Sequence, residues 1–201
     1  KGAFDDAYSA VWSYANRTAA YYLLAKIASK RGDKSQAVDF LRLALETNVR
    51  DLRARYALAI LTGDNKATED IKTADPLFIP NPRDTRRAIE FAVELSDFGL
   101  TDLAVKTLEA ADDGAGKFYY LAYLTRGAKR KEYLKAADAS PWQYAFPSRI
   151  ESIAVLKAAG TPMASYYLGC LLYSFERYIE AAKAWEKTVK SLDFAPAYRN
   201  L

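Results

Sequence analysis

The amino-acid sequence predicts an all-α protein built from stacked pairs of short helices. Ala, Leu, Lys and Glu are prominent, and no segment shows the alternation of apolar and polar residues that is typical of strands. Pairs of a large apolar residue followed by a small one recur at intervals of 34, 33, 30 and 47 residues. These pairs are Leu24-Ala25, Leu58-Ala59, Phe91-Ala92, Leu121-Ala122 and Leu168-Gly169. Because such a period marks repeat architectures, we expect a solenoid in which each helix pair packs on its neighbours.

The clearest copy of the repeat occupies residues 161–192. Thr161 is a helix N-cap residue, and Pro162 follows it in the first turn. Gly169 is expected to leave room for a neighbouring helix. After a break near residue 176, Ala181 and Trp185 recur at helical spacing on the return helix. Trp185 is therefore predicted to lie in the core.

The remaining copies define one predicted domain over residues 1–201. We assign the repeats to residues 18–50, 51–80, 81–114, 115–147 and 161–194. A helix is expected to begin at Asn81 and Pro82, after a proline-rich segment. The interval of 47 residues exceeds 34 by 13, and we assign the excess to one extra helix near residues 148–160. Ser148 and Glu151 predict a capping box at its start, and Gly160 predicts its end.

The copy at residues 161–192 resembles the tetratricopeptide repeat (TPR) family. It contains Leu168-Gly169, a small Ala181 and the aromatic Trp185 in the family's order. The resemblance covers nearly the whole chain and implies a right-handed α-solenoid of antiparallel helix pairs. The chain departs from the family's pattern at Glu176, where glycine is usual, which bears on the geometry of that turn.

A narrower resemblance concerns the segment Phe146-Pro147-Ser148-Arg149 ahead of the extra helix. It is similar to the C-terminal TPR region of large bacterial proteins whose N-terminal part is an uncharacterised, β-rich, sugar-enzyme-like domain. This resemblance implies a bacterial origin and a partner domain in the same protein. Because the sequence begins at Lys1 without an initiator Met, we expect it to be a fragment of a longer chain. A cytoplasmic location is the expectation.

The composition argues against several classes of function. The chain has no histidine and one cysteine, Cys170, which argues against His-based catalysis, most zinc and copper sites and an internal disulfide. Lys and Arg number 29 and Asp and Glu 25, and the resulting charge of +4 is too small to indicate nucleic acid. No apolar run is long enough to predict a membrane span. We expect a protein that is not an enzyme and needs no cofactor.

Tyrosines and basic residues recur on the first helices of successive pairs. In a TPR solenoid these positions face a concave groove, and rings with nearby cations suit an extended peptide or a partner domain. The predicted groove residues are Tyr22, Lys26, Arg53, Tyr56, Arg86, Tyr119, Tyr123, Arg126, Tyr166 and Tyr173. The predicted function is a protein-interaction scaffold. The competing interpretation is that these tyrosines pack between adjacent repeats.

Other functions stay open at this stage. An accessory module of a bacterial carbohydrate-active enzyme would contact glycan, for which Trp142, Tyr144 and Phe146 could form a stacking platform. Self-association is another possibility. A clamp for a C-terminal carboxylate, as in chaperone-binding TPRs, is disfavoured because asparagine is missing from the corresponding positions. The carboxylate pairs Asp5-Asp6 and Asp112-Asp113 are interpreted as helix ends or solvated turns rather than catalytic acids.

Overall fold

The computed structural model describes residues 2–75, 78–143 and 145–201. Within these residues the chain forms thirteen α-helices and a 3-10 turn at Tyr14–Asn16, and no strand. The helices are α1 Gly2–Ala10, α2 Arg17–Lys30, α3 Lys34–Thr47, α4 Leu52–Thr62, α5 Asn65–Ala74, α6 Thr85–Asp97, α7 Thr101–Glu109, α8 Ala115–Leu124, α9 Gly127–Ala139, α10 Ser152–Ala159, α11 Pro162–Ser174, α12 Tyr178–Val189 and α13 Ala195–Asn200. No helix in this part of the chain is long and apolar enough to cross a bilayer.

Consecutive helices pack as pairs joined by short turns. The pairs are α2 with α3, α4 with α5, α8 with α9, and α11 with α12. The small residues of the repeated motif are buried, namely Ala25, Ala59, Ala92 and Ala122. Small side chains let two helix backbones approach closely, which explains the period in the sequence. The predicted all-α fold of helix pairs is confirmed.

Side-chain caps fix several helix starts. Asp33 and Asp64 accept hydrogen bonds from the backbone N–H groups of Gln36 and Ala67, at 2.9 Å in each case. The predicted N-cap Thr161 is confirmed, because its hydroxyl oxygen accepts from the N–H of Ala164. These bonds satisfy N–H groups that have no partner inside the helix.

The predicted start of α6 at Asn81 and Pro82 is wrong. The helix begins at Thr85, three residues after the proline. The carboxylate of Asp84 accepts a hydrogen bond from the N–H of Arg87 at 3.1 Å and thereby caps the helix instead. The capping signal of the aspartate overrides the preference of proline for a first helical turn.

The helices belong to two compact units. The first comprises Lys1–Asn81 and Glu90–Ala104, and the second comprises Pro82–Ile89 and Val105–Leu201. The core of the first unit contains Leu41, Leu61 and Phe98, together with alanines of α2, α3 and α4. Leu121, Leu171 and Trp185 are buried side chains of the second unit. Whether the chain is the single domain predicted above stays a prediction.

The extra helix near residues 148–160 is confirmed as α10, although it is shorter than predicted. It spans Ser152–Ala159 and is followed by Gly160, whose φ of +70° places it in the left-handed region and ends the helix. The predicted capping box of Ser148 and Glu151 is wrong, because Glu151 is itself the N-cap residue and makes no side-chain capping bond. Helix α10 packs against α8 and α11 in the second unit.

The core position of Trp185 is confirmed, since the side chain is buried. A Cβ atom built on Gly169 would overlap the indole of Trp185. The glycine therefore makes the space that the tryptophan fills, as the sequence predicts.

Candidate functional site

The six predicted groove tyrosines divide into two groups. Tyr123 and Tyr173 are exposed. The prediction of an open tyrosine row is wrong for the others, whose side chains are 2–8% exposed: Tyr22, Tyr56, Tyr119 and Tyr166. These four tyrosines pack between elements, which is the competing interpretation.

Each buried tyrosine is covered by a neighbouring element of its own unit. Tyr22 packs edge-on against Phe98, with ring centroids 5.4 Å apart. The ring of Tyr56 lies 5.5 Å from that of Phe91. All four tyrosines stand two residues before the large apolar residue of the repeated pair, close to the middle of the first helix. The middle of a helix is where a crossing neighbour packs, so this position is buried in both units.

Of the predicted basic residues, Arg53 and Arg86 lie in the first turns of α4 and α6, and Arg126 is the N-cap residue of α9. Arg53, Arg86 and Arg126 are exposed. Lys26 is half-buried and forms ion pairs of 2.9 Å with both Glu94 and Asp97. It therefore acts as a cross-link inside the first unit rather than as a cation facing an open groove.

The second unit contains a cavity of about 530 Å³. Its walls come from α8, α10, α11, the first turns of α6 and the segment that precedes α10. Among the predicted groove residues, Arg86 and Tyr119 line this cavity, and the other eight do not. The apolar wall includes Ile89, Phe146 and Leu156.

Hydroxyl groups form part of the polar wall. The hydroxyls of Tyr120 and Ser152 share a hydrogen bond of 2.9 Å. Tyr167 also lines the cavity and is 1% exposed, and its buried hydroxyl has no hydrogen-bond partner among the described residues. Burial raises the pKa of the Tyr120 hydroxyl, and burial raises the pKa of Tyr167 to about 12. Both phenols are therefore neutral at physiological pH and can donate hydrogen bonds.

Charged groups occupy another part of the wall. Arg86 and Arg149 line the cavity, together with the carboxylate of Asp113. Arg149 donates a hydrogen bond of 3.1 Å to Glu151, and the buried Lys117 pairs with Asp113 at 2.9 Å. Lys117 also donates to the carbonyl of Ala111.

A carboxylate behind the cavity holds three helices together. Asp138 of α9 accepts hydrogen bonds of 2.7 Å from the hydroxyls of Tyr119 on α8 and Thr161 at the start of α11. Burial and the bond to Asp138 raise the pKa of Tyr119, which stays protonated and continues to donate. This fixes the ring of Tyr119 in the cavity wall.

The other functional interpretations gain no geometric support. No group of three or more His, Cys, Asp or Glu residues is close enough to hold a metal ion in the described parts of the chain. Trp142 packs edge-on against Tyr166 and Phe194, Phe146 lies against Tyr167, and Tyr144 is outside the described residues. Trp142 and Phe146 are the two residues of the expected glycan platform that the structure describes, and both pack their segment onto the second unit. Burial raises the pKa of the Cys170 thiol, which disfavours the reactive thiolate.

Sequence reasoning missed several of the residues that line the cavity, including Arg149, Tyr120 and Tyr167. A signal for two of them was present. Tyr120 and Tyr167 each stand directly before the large apolar residue of the repeated pair, where the first copy has Leu23. The segment that contains Arg149 was noticed as a motif, but nothing in its composition indicates which helices it contacts.

No family model matches the chain. Among solved structures, the chain is similar to yeast Tom70 at 16% identity and a TM-score of 0.38, over 98% of this chain and 41% of that one. It therefore spans less than half of that protein. It is also similar to Pseudomonas aeruginosa pilF, at 17% identity and a TM-score of 0.32, over 100% of this chain and 83% of that one. The chain is also similar to the MamA RS-1 ArsTM double mutant, at 17% identity and a TM-score of 0.26, over 86% of this chain and 93% of that one.

Proposed function

We propose that this chain is a non-enzymatic scaffold that binds a peptide or a segment of a partner protein. The partner segment inserts an apolar or aromatic side chain into the cavity of the second unit. The observation that carries the proposal is the cavity itself, which combines aromatic walls with a few polar groups at its edge. That combination is typical of binding pockets, in which apolar surface supplies affinity and a few polar groups set orientation.

The volume of the cavity fits an anchoring side chain. Ligand pockets begin at about 300 Å³, and a cavity of about 530 Å³ is large enough for an aromatic side chain with its flanking backbone. Aromatic anchors that fill a pocket supply much of the binding energy in protein interfaces. The partner can be another domain of the same protein, as the resemblance of the sequence implies.

An array of acetylated and amidated 12-residue peptides tests this function. The peptides are identical except for the central position, which is Phe, Tyr, Leu or Ala. Because both ends are blocked, the terminal charges are absent. We expect binding to the Phe, Tyr and Leu series and loss of binding in the Ala series. Soluble neutral oligosaccharides serve as the comparison for the glycan alternative, and binding to these sugars alone would overturn the scaffold proposal.

A matched pair of variants ties the binding to the cavity. Ser148 lines the cavity and is exposed, so Ser148→Trp should fill the space without disturbing the core. Gln143 is also exposed in the same segment and does not line the cavity. We expect Ser148→Trp to abolish peptide binding and Gln143→Trp to retain it. Equal binding by both variants would show that the cavity is not the site.

A further inference from the structure

We infer that one edge of the second unit binds an acidic polypeptide segment that also carries apolar side chains. This edge, which we call the basic edge, consists of the turn between α8 and α9, the first turn of α9, the end of α10, the turn between α11 and α12, and the first two turns of α12. The cavity wall includes the start of α8, whereas the basic edge includes its end. The inference therefore concerns a second contact surface and does not depend on the cavity.

Hydrogen bonds from one arginine bring three helices together at this edge. The guanidinium of Arg130, in the first turn of α9, donates to the carbonyl of Ala122 on α8 at 3.1 Å. It also donates to the carbonyl of Ala158 near the end of α10. The end of α8, the start of α9 and the end of α10 thus meet at one place.

Charge interactions connect the end of α10 to the start of α12. Arg177 and Glu180 form a bidentate pair at the start of α12, with two hydrogen bonds of 2.7 Å. These bonds lower the pKa of the Glu180 carboxyl, and the charges of Lys157 on α10 and Lys183 on α12 lower it as well. The two lysines therefore lie close to the same carboxylate, and the cations of α9, α10 and α12 share one surface.

The basic edge has an excess of positive charge. Its cations are Arg126, Lys129, Arg130, Lys157, Arg177 and Lys183, and the carboxylates among and beside them are Glu109, Glu176 and Glu180. The formal charge of this set is +3. All of these cations except Arg130 are exposed. An acidic partner would be attracted to this surface, and the attraction would weaken as salt is added.

The distribution of charge over the whole chain agrees with this assignment. The second unit has 17 Lys and Arg against 11 Asp and Glu, whereas the first has 12 against 14. The net charge of +4 therefore conceals a second unit at +6 and a first unit at −2. A unit with such an excess favours acidic partners in its vicinity.

Exposed apolar side chains lie among these cations. Four of them fall within seven residues at the turn between α11 and α12, namely Tyr173, Phe175, Tyr178 and Ile179. The rings of Tyr173 and Tyr178 pack against each other with centroids 5.1 Å apart, and Ile179 is 76% exposed. Large apolar side chains grouped at a surface mark contact sites, because single exposed ones are normal and clusters are not. A partner thus needs apolar side chains as well as carboxylates.

The mixture of charges favours a polypeptide over nucleic acid or a bilayer. Glu176 and Glu180 are exposed within the same turn that carries Arg177 and Lys183. A phosphate backbone or an anionic lipid surface carries negative charge throughout and would face these carboxylates as well. A polypeptide can place its own carboxylates opposite the cations and apolar side chains opposite the tyrosines.

A blocked 12-residue peptide, in which four Glu and two Leu are separated by Ser, is the probe for this surface. One matched peptide has Gln in place of Glu, and another has Ala in place of Leu. Fluorescence anisotropy of the labelled peptides with the 201-residue chain, at low and high salt, measures the affinities. We expect the Gln peptide to bind at least about tenfold more weakly, the Ala peptide to bind more weakly, and high salt to weaken the Glu peptide.

Charge reversals locate the site. Lys157→Glu and Lys183→Glu should each weaken the Glu peptide about threefold, and the double variant about tenfold. Lys190→Glu is the matched control, because Lys190 is exposed at the far end of α12 and its reversal changes the net charge equally. All three lysines are exposed, so the folds should be retained, which circular dichroism melts establish.

A second pair of variants tests the apolar part of the surface. Ile179→Ser should weaken the Glu peptide about threefold, because it removes an exposed apolar contact. Ile150→Ser is the control, since Ile150 is 67% exposed in the same unit and lies before α10 rather than after it. We expect Ile150→Ser to bind the peptide like the parent chain.

The alternatives give different results. Equal binding of the Glu and Gln peptides, or an equal effect of Lys190→Glu and Lys157→Glu, overturns the inference. Tighter binding of a 12-nucleotide single strand, or of phosphatidylglycerol vesicles, with the same dependence on Lys157 also overturns it and assigns the surface to that partner. Loss of Glu-peptide binding in Ser148→Trp would place the peptide in the cavity instead. Retained binding in Ser148→Trp, with loss in the double lysine variant, supports a separate site.

Discussion

The two units bury tyrosines in different ways. In the first, Tyr22 lies beside Lys26 and Glu94, its hydroxyl is 3.4 Å from the Glu94 carboxylate, and the lysine links Glu94 to Asp97. In the second, Tyr119 is fixed by Asp138, whereas Tyr167 reaches the cavity wall with its hydroxyl unpaired among the described residues. The first arrangement satisfies its polar groups internally. The second leaves one phenol hydroxyl unpaired in its interior, and the proposed binding site is the open cavity beside that ring.

The largest expected effect tests the core of the second unit. Trp185→Ala should lower the free energy of unfolding by about 3–5 kcal/mol, because it removes a buried indole and leaves a cavity beside Gly169. Trp12, in the first unit, is 82% exposed, and Trp12→Ala should change stability by less than about 0.5 kcal/mol. Urea denaturation of both variants measures the difference. Similar urea midpoints for the two variants would contradict the assigned burial of Trp185.

The next effect compares the polar cross-links of the two units. Asp138→Ala should cost about 2–3 kcal/mol, because it removes the acceptor of two hydroxyls, one of them on a buried tyrosine. Lys26→Met should cost about 1 kcal/mol, since its two carboxylate partners are more than one-third exposed and screened by water. Chemical denaturation of each variant gives the two values. A larger loss for Lys26→Met would reverse the comparison.

Alkaline pH should destabilise both units through their buried tyrosines. Burial raises the pKa of Tyr22, Tyr119 and Tyr167 above the ordinary value of about 10, for Tyr167 to about 12. The stabilising contribution is complete below pH 10, where folded and unfolded states are both protonated. Above it the unfolded chain loses protons first, so the free energy of unfolding should fall as the pH rises from 10 towards 12. Thermal melts across this range check the sign, and a flat profile would contradict the burial of these phenols.

Removal of single hydroxyls should act with opposite signs in the two units. Tyr167→Phe should stabilise the chain without ligand by about 1 kcal/mol, because it replaces an unpaired buried hydroxyl with hydrogen. Tyr22→Phe should destabilise it by about 0.5–1 kcal/mol, because the Tyr22 hydroxyl donates to Glu94. The same denaturation assay measures both. A loss of stability in Tyr167→Phe would indicate that the hydroxyl already has a partner.

The smallest effect concerns the turns inside helix pairs. Gly32 and Gly63 in the first unit have positive φ angles, and the corresponding turn of the second unit places Glu176 at φ 61°. A side chain in the left-handed region costs about 1 kcal/mol, so Glu176→Gly should stabilise the chain by about 0.5–1 kcal/mol. The reverse exchange, Gly32→Glu, should destabilise it by a similar amount. A lower melting temperature for Glu176→Gly, or a higher one for Gly32→Glu, would contradict the turn geometry.

Much of this fold is predictable from the sequence because it depends on local periodicity. The repeated pairs place the first helices, the excess of 13 residues indicates α10, and Gly169 with Trp185 identifies a contact between α11 and α12. The departure from glycine at Glu176 also indicated an unusual turn, and that residue does adopt a positive φ. These features rest on neighbours within one helix pair.

The candidate site is less predictable because it depends on which elements cross. Tyr22 and Tyr119 share a helix face with exposed residues, and only the covering segments decide that they are buried. Arg86 was identified from its place on a first helix, but Arg149 and Tyr167 meet the cavity from segments far along the chain. A single sequence contains no signal for those long-range contacts.

The most direct test of the binding site is a nuclear magnetic resonance titration of the isotopically labelled chain with the acetylated and amidated peptide that has Phe at its central position. We predict that the largest shifts occur at the amides of Ala115 and Gly116 and at the ring of Tyr167, and that Lys26 and Glu94 in the first unit stay unchanged. Ser148→Trp should remove these shifts at the same peptide concentration, and Gln143→Trp should retain them. Shifts centred on the first unit, or none at the start of α8, would contradict the assignment of the peptide site to this cavity.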